Sequence, residues 1–384
     1  MSASSIMDKI AKLEEELLKD MNLRLISNSE RKDFTFCRRL WFLKYAVGVE
    51  KTGNEKVGSS TGTLFHTAMD ILWQGGTARD AVAAATAMGK GWLGSGNDDV
   101  VVDAIQRAQQ TIKQYAHHYR ETGIDGEVVA VEAEVQSKAL HMKARVDKIV
   151  KRGDRYYFVD HKTTGSAVSG WEDANQYARQ PQLYCLIGRE MYGDKFDGIM
   201  MDIAYSKIGS AELFFTATGL SAAFKAKLPS TTYHEYLKAC KGITITVKSG
   251  ERKQVKYVDK HNVGERLKNR DAQGHFFKRV MLFYSDDVLD TFIKEDNEVT
   301  KLIVKDEHSL GEFKRGDMVS TMRTLWKHSH RFPRTYASCK SYGSRCELEH
   351  VCHSRMLEAQ VKLHEDHEYG RYADTKQGMM DIPF

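Results

Sequence analysis

"YYFVDHKTT", residues 156–164, decides how the rest of the chain is read. Tyr156, Tyr157, Phe158 and Val159 have strong strand preference, and Thr163-Thr164-Gly165 reads as a turn. Residues i and i+2 of a strand share a face, so Asp160 and Lys162 emerge together, roughly 7 Å apart at Cα. Upstream, "HMKARVDKIV" (141–150) alternates in the same way, with Lys151-Arg152-Gly153-Asp154 as a turn between the two segments. Asp147 there sits amid Val146, Ile149 and Val150, where a charge is costly to bury unless something pairs with it. If the two segments form a hairpin, Asp147 and Asp160 meet on one face near the strand ends. Two carboxylates that close repel unless a cation lies between them. A hard divalent ion such as Mg²⁺ is the natural occupant, and Lys162 on that face would orient an activated water or neutralise charge building on a phosphate. The plainer alternative is a strand-edge salt-bridge network, worth little.

Outward from the hairpin, "GEVVAVEAEV" (126–135) reads as a third strand, whose Glu132 and Glu134 either send one carboxylate toward the metal or, the plainer expectation, stand on an exposed face. Before it the pattern is helical: 5–20, 29–50 with Cys37, a helix beginning at "GTLFHTAMDILWQ" after a Gly/Ser-rich loop at 58–62, and stretches near 78–89 and 98–121. After it come a helix over 173–192, strands near 198–205 and 211–217, and a hairpin over 242–258 turning at Ser249-Gly250. Long helices are expected over 276–304 and 312–330. Helices, consecutive strands, a helix and further strands make an α/β chain with a mixed sheet.

The chain has 384 residues, enough for a large core, and a net charge of only +5. Its charge is uneven: Lys238 to Arg279 holds twelve Lys/Arg against four acids, either a solvated face or a surface that meets a phosphate backbone. No apolar run is long enough to span a bilayer, and the N-terminal segment lacks a signal peptide's apolar stretch, so the default expectation is cytoplasmic. Six cysteines in such a chain argue against a disulfide framework. Cys185 and Cys240 read as small core residues. Cys37 with Cys339, Cys346 and Cys352 leaves a closed Zn²⁺ site, an iron–sulfur cluster or reduced thiols open, with His350 and His353 as substitute ligands.

Asp147, twelve intervening residues and then Asp160-His161-Lys162 resembles the split Asp…Asp/Glu-x-Lys signature of the PD-(D/E)XK nuclease superfamily. "GTLFH" (62–66) is similar to the Gly-x-x-x-His of its RecB-like exonuclease branch, which includes AddB-type and CRISPR-associated exonucleases, and "QPQLY" (180–184) is similar to that branch's Gln-x-x-x-Tyr. The resemblance implies a restriction-endonuclease-like mixed sheet flanked by helices. It implies a metal-dependent DNA exonuclease in which His66, Asp147, Asp160 and the His161 backbone hold Mg²⁺ or Mn²⁺. Lys162 then assists the attack on phosphorus, and Gln180 and Tyr184 position DNA. The cysteine arrangement resembles the branch's 4Fe-4S staple, which joins the N- and C-terminal regions; zinc is the alternative. The last residues, Asp381-Ile382-Pro383-Phe384, resemble the C-terminal tip of bacterial single-stranded-DNA-binding proteins, which implies a bacterial or phage-infected cell and host proteins that recognise that tip.

The expected organisation is N-terminal helices and nuclease core over 1–205, an inserted basic lobe over 206–330, a cysteine segment over 331–360 and a tail over 361–384. Two rival functions keep the fold: a catalytically silent DNA-binding or recombination-partner protein, and a structure-selective endonuclease.

Overall fold

The computed structural model of the protein describes residues 25–47, 49–51, 57–94, 97–120, 123–165, 168, 171, 177–209, 215–216, 219–220, 230–241, 244–246, 252–254 and 262–309, with scattered positions over 332–352 and the strand 369–371. The helices expected at 5–20 and 312–330, His350, His353 and the tip Asp381–Phe384 lie outside the described residues.

The central sheet has six strands: β1 (Ile26–Ser27), β2 (Glu127–Ser137), β3 (Met142–Arg152), β4 (Arg155–Thr164), β5 (Phe196–Tyr205) and β6 (Phe277–Leu282). Their order is β1-β3-β4-β5-β6, with β2 also pairing β3. β3 and β4 form the expected antiparallel hairpin, closed by Gly153-Asp154 with Gly153 at φ +64°. β4 and β5 run parallel, β6 returns antiparallel to β5, and β1 is parallel to β3. The sheet is therefore mixed and helix-flanked, the restriction-endonuclease-like α/β arrangement.

The helices are α1 (Asn28–Phe36), α2 (Val57–Trp73), α3 (Ala78–Lys90), α4 (Asp98–His118), α5 (Arg179–Tyr192), α6 (Tyr233–Lys241), α7 (Val263–Ala272) and α8 (Asp286–Ser309), besides a short turn at Arg38–Trp41. Local chemistry sets several ends. The Ser27 hydroxyl accepts from Glu30 N at the start of α1, and Thr77 with Asp80 forms a capping box on α3. On α4, Val101, Ala104, Ala108, Thr111, Ile112 and Tyr115 recur at helical spacing and are buried.

Two compact units divide the chain. The larger comprises Glu55–Ala133 and Val146–Phe283. Its core joins Leu64, Phe65 and Met69 of α2, Ala104 and Ile112 of α4, and Val150, Tyr157 and Val159 of the hairpin. Each Val, Leu, Ile, Phe or Met side chain among them stabilises the fold by about 1.5–3 kcal/mol relative to exposure. The smaller comprises 1–54, 134–145 and 284–384. There Phe34, Trp41, Phe42 and Leu43 share a core with Ile303 of α8 and with Phe332, Leu348 and Cys352. Phe42 stacks on Phe332 at 4.3 Å between ring centroids, and Arg39 Nε donates to the Phe332 carbonyl at 2.8 Å.

Three expectations about elements are corrected. Residues 277–282 are strand, not the start of a helix over 276–304, because they complete an edge on β5; the helix begins at Asp286. Residues 58–62 are helical rather than a loop, since α2 starts at Val57. Small residues suit the close approach there: a Cβ on Gly62 would lie 3.2 Å from Thr163 Oγ1. The expected helix over 29–50 breaks at Cys37, whose φ of −162° is extended, and continues as a π-helical turn over Phe42–Val47.

Candidate active site

All the acids of the hairpin and the side chains that meet them belong to the larger unit. The β3–β4 ladder pairs Lys148 with Val159, and Asp147 and Asp160 follow as the next facing positions. Asp147 is buried, and its Oδ2 accepts the His161 backbone N–H at 2.7 Å. His66, on α2, brings Nδ1 to 3.3 Å from the same oxygen. Asp160 is 1% exposed. Its Oδ2 lies 2.6 Å from Lys162 Nζ, the same-face pair that strand geometry dictates, and its Oδ1 accepts from Gln180 Nε2 at 3.2 Å. Gln180 also donates to the Tyr184 hydroxyl at 2.8 Å, one turn along α5. His66, Asp147, Asp160, Lys162, Gln180 and Tyr184 are thus brought together, although they come from four elements.

Of the two acids on β2, Glu132 joins them, whereas Glu134 stands on the expected exposed face. Among the described residues, His66, Glu132 and Asp147 offer one donor atom each within 4.8 Å of one another. Ligands on opposite sides of a six-coordinate ion stand about 4.2 Å apart, so a single divalent ion fits that spacing. The backbone at Glu132 takes φ +49°, a left-handed value rare for a non-glycine within a strand. That irregularity re-aims one carboxylate, as strand bulges beside active sites do.

The electrostatics are those of a site built for a cation. Burial, reinforced by the charge of Asp147 and opposed by Lys162, raises the Asp160 pKa. Burial likewise raises Glu132, with Asp147 and Asp70 adding repulsion. Burial works against a charged His66, but its hydrogen bond to Asp147 and that carboxylate's charge outweigh it, so the imidazole titrates above its usual range. Burial also disfavours ionised Asp147, yet His66 and the His161 N–H hold its pKa below the ordinary value. Carboxylates this crowded repel, and a cation among them would relieve that repulsion.

Behind this cluster lies a second network that sequence reading missed. His161 sits between Asp160 and Lys162, so its ring takes the opposite sheet face, where it is fully buried. There β4, β5 and β6 align His161, Asp202 and Arg279 as register partners. Asp202 Oδ2 lies 3.2 Å from His161 Nδ1 and accepts from the Tyr115 hydroxyl, while Arg279 Nε stands 3.7 Å from Oδ1. Burial disfavours the Asp202 anion, but the His161 contact and Arg279 lower its pKa nonetheless. Lys148, with no exposed side chain, meets Asp70 of α2 at 2.5 Å.

Against known families, a model of the PD-(D/E)XK nuclease superfamily matches residues 25–353. The chain belongs to that superfamily. Membership implies a nuclease, and therefore a protein that binds nucleic acid; nucleases of this superfamily typically use divalent metal. The donor set fits such an ion, with two carboxylates and an imidazole in the cluster and Asp160 beside it. A comparison with curated proteins yields no match. No described helix is long and apolar enough to cross a membrane.

Proposed function

We propose that this PD-(D/E)XK nuclease is a Mg²⁺- or Mn²⁺-dependent exodeoxyribonuclease of the RecB-like branch, acting in the cytoplasm. One observation carries the reading: the His66–Asp147 pair and the hydrogen-bonded chain Lys162–Asp160–Gln180–Tyr184 adjoin at the end of one hairpin. His66, Glu132 and Asp147 would hold the ion, with Asp160 and the His161 carbonyl beside them. When bound, a divalent ion supplies charge neutralisation at the phosphate and acidifies water. Lys162 keeps its ammonium against Asp160 and presents a donor to an oxygen that gains charge as the phosphodiester breaks. Gln180 holds the Asp160 carboxylate, Tyr184 holds Gln180 from behind, and the pair would position the DNA strand.

The cysteines support a 4Fe-4S staple in the smaller unit, with zinc as the alternative. Cys37 and Cys352 share one buried cluster, Cys346 packs against it, and Cys346 N donates to Cys339 O at 2.9 Å. Brown colour and visible absorbance after anaerobic purification are the expected result; a colourless protein with stoichiometric zinc would replace the cluster with a zinc site. The C-terminal tip, 381–384, belongs to the proposal only as a docking peptide for host proteins that bind the single-stranded-DNA-binding tip. Deleting those four residues should abolish such binding.

The deciding experiment compares the wild type with Lys162→Ala on 5′- and 3′-labelled linear DNA and on closed circles, single- and double-stranded, with Mg²⁺, Mn²⁺ or EDTA. Metal-dependent loss of label from ends, absent in the variant, is expected. Cleavage of circles would make the enzyme an endonuclease, and tight binding without any cleavage would make it a clamp.

A further inference from the structure

On the sheet face away from Asp160 and Lys162, a cavity of about 640 Å³ opens between α4, α6 and the end of α2, all within the larger unit. Its floor is apolar and aromatic: Leu72, Trp73, Tyr115 and Ile124. Its wall holds four Lys/Arg, namely Lys113, Arg120, Lys238 and Arg279, against one acid, Glu235. Arg279 is already committed. It bonds Gly123 O and the Tyr115 hydroxyl, lies 3.7 Å over the Tyr119 ring, and faces Asp202 beneath. Lys113, Arg120 and Lys238 have no ion pair among the described residues, and all three are exposed.

Lys113 and Arg120 alone would be ordinary cations near the C-terminal end of a helix, at home with its dipole. What makes a site is the second helix. α6 presents His234 and Lys238 one turn apart, opposite Lys113 and His117 one turn apart on α4. The two histidine rings stack at 3.5 Å, which fixes the helices at the spacing that leaves the cavity between them. Lys113, Arg120 and Lys238, outnumbering the single acid Glu235 around an apolar, aromatic floor, suit an anion that carries a flat hydrophobic body. The volume lies within the ordinary range for small-molecule sites, about 300–1,000 Å³.

We propose that this cavity binds a nucleoside monophosphate, its phosphate on Lys113, Arg120 and Lys238 and its base against the aromatic floor. The phosphate half of the assignment rests on the cations alone. The nucleoside half also rests on the nuclease reading, since hydrolysis of a nucleic acid produces such groups. Two sources share this chemistry: a free mononucleotide and the phosphorylated terminal nucleotide of a strand.

The test is calorimetric titration of the full chain in EDTA, where no cleavage intervenes. The probes are dAMP, deoxyadenosine, inorganic phosphate, and a short oligodeoxyadenylate with or without a 5′-phosphate. Saturable dAMP binding is expected, with deoxyadenosine and phosphate each about tenfold weaker or more. Arg120→Glu with Lys238→Glu, at exposed positions and checked for an unchanged melting profile, should weaken dAMP by about tenfold or more. Lys162→Ala should leave it unchanged. Binding of the phosphorylated oligonucleotide through Arg120 and Lys238, without dAMP binding, would assign the pocket to a strand end. Binding of dAMP that survives the charge reversals but is lost in Lys162→Ala would overturn the proposal, as would equal affinity for dAMP and phosphate. Absence of binding by both dAMP and the phosphorylated strand would overturn it too. None of these outcomes depends on whether the chain cleaves DNA.

Discussion

Asp202→Asn keeps the shape of a fully buried side chain and removes its charge. Three partners lose by it: the Tyr115 hydroxyl, His161 Nδ1 at 3.2 Å and Arg279 Nε at 3.7 Å. Removing one member of a buried ion pair typically costs about 3–5 kcal/mol, because the other charge is left uncompensated. Arg279 keeps its bonds to Gly123 O and Tyr115, its place over the Tyr119 ring and 18% exposure of its side chain, so the lower end applies: about 3 kcal/mol. Tyr115→Phe deletes the hydroxyl that donates to Asp202 and accepts from Arg279 and Trp73, and should cost at least about 2 kcal/mol. The two effects share Asp202, so the double variant should fall short of their sum by about 1 kcal/mol. Urea unfolding followed by both circular dichroism and tryptophan fluorescence measures all four proteins, with coincident transitions as the condition for the free energies. Additivity within about 0.5 kcal/mol, or a loss below about 1 kcal/mol for Asp202→Asn, would refute the claim that one charged network holds this face of the sheet.

Glu132→Gln should weaken Mn²⁺ binding, measured by calorimetry, by about tenfold to a hundredfold; an unchanged affinity would remove Glu132 from the donor set. His66 titrates above its ordinary value of 6.5, so in EDTA its pairing with Asp147 stabilises the fold fully below that pH. That stabilisation is lost as pH rises through the folded-state value, and Mn²⁺ binding, which needs the neutral imidazole, should strengthen over the same interval. A wild-type melting curve in EDTA with the same pH slope as His66→Gln would contradict this. Gly188 lies where a Cβ would overlap the Phe196 ring, so Gly188→Ala should destabilise by about 1–3 kcal/mol, read from the urea midpoint; a neutral result would mean that α5 shifts freely on β5.

The hairpin was legible because two signals agreed, apolar alternation in both arms and a Gly-Asp turn between them. The same alternation placed Asp160 and Lys162 on one face, where they meet at 2.6 Å. β6 was not legible. "FKRVML" suits a strand or a buried helical turn equally, and what decides is its six-residue ladder with β5, a contact spanning most of the chain's middle. Glu132 was visible only as one of two candidate acids with Glu134, because its aim depends on a left-handed backbone that no side-chain pattern announces. Asp202 could have been found. "IMMDIAY" (199–205) puts one acid in an apolar strand, the signal that singled out Asp147, but no neighbouring Lys marked it.

His161 explains why the residue between the two signature positions matters as much as they do. Its backbone N–H holds Asp147 Oδ2 at 2.7 Å on the acid face, while its ring, on the other face, meets Asp202 at 3.2 Å. A strand alternates sides at every residue, so a site that needs Asp160 and Lys162 on one face must commit the residue between them to the opposite one. Here that position is fully buried under Phe65 and Trp73 of α2, the helix that also supplies His66. The packing that anchors the His161 ring therefore fixes the strand, the strand fixes the N–H that orients Asp147, and the helix above fixes the imidazole that meets the same carboxylate. A donor set drawn from three separate elements acquires a common rigid support in this way, which is what a metal site needs if its ligands are to be in position before the ion arrives.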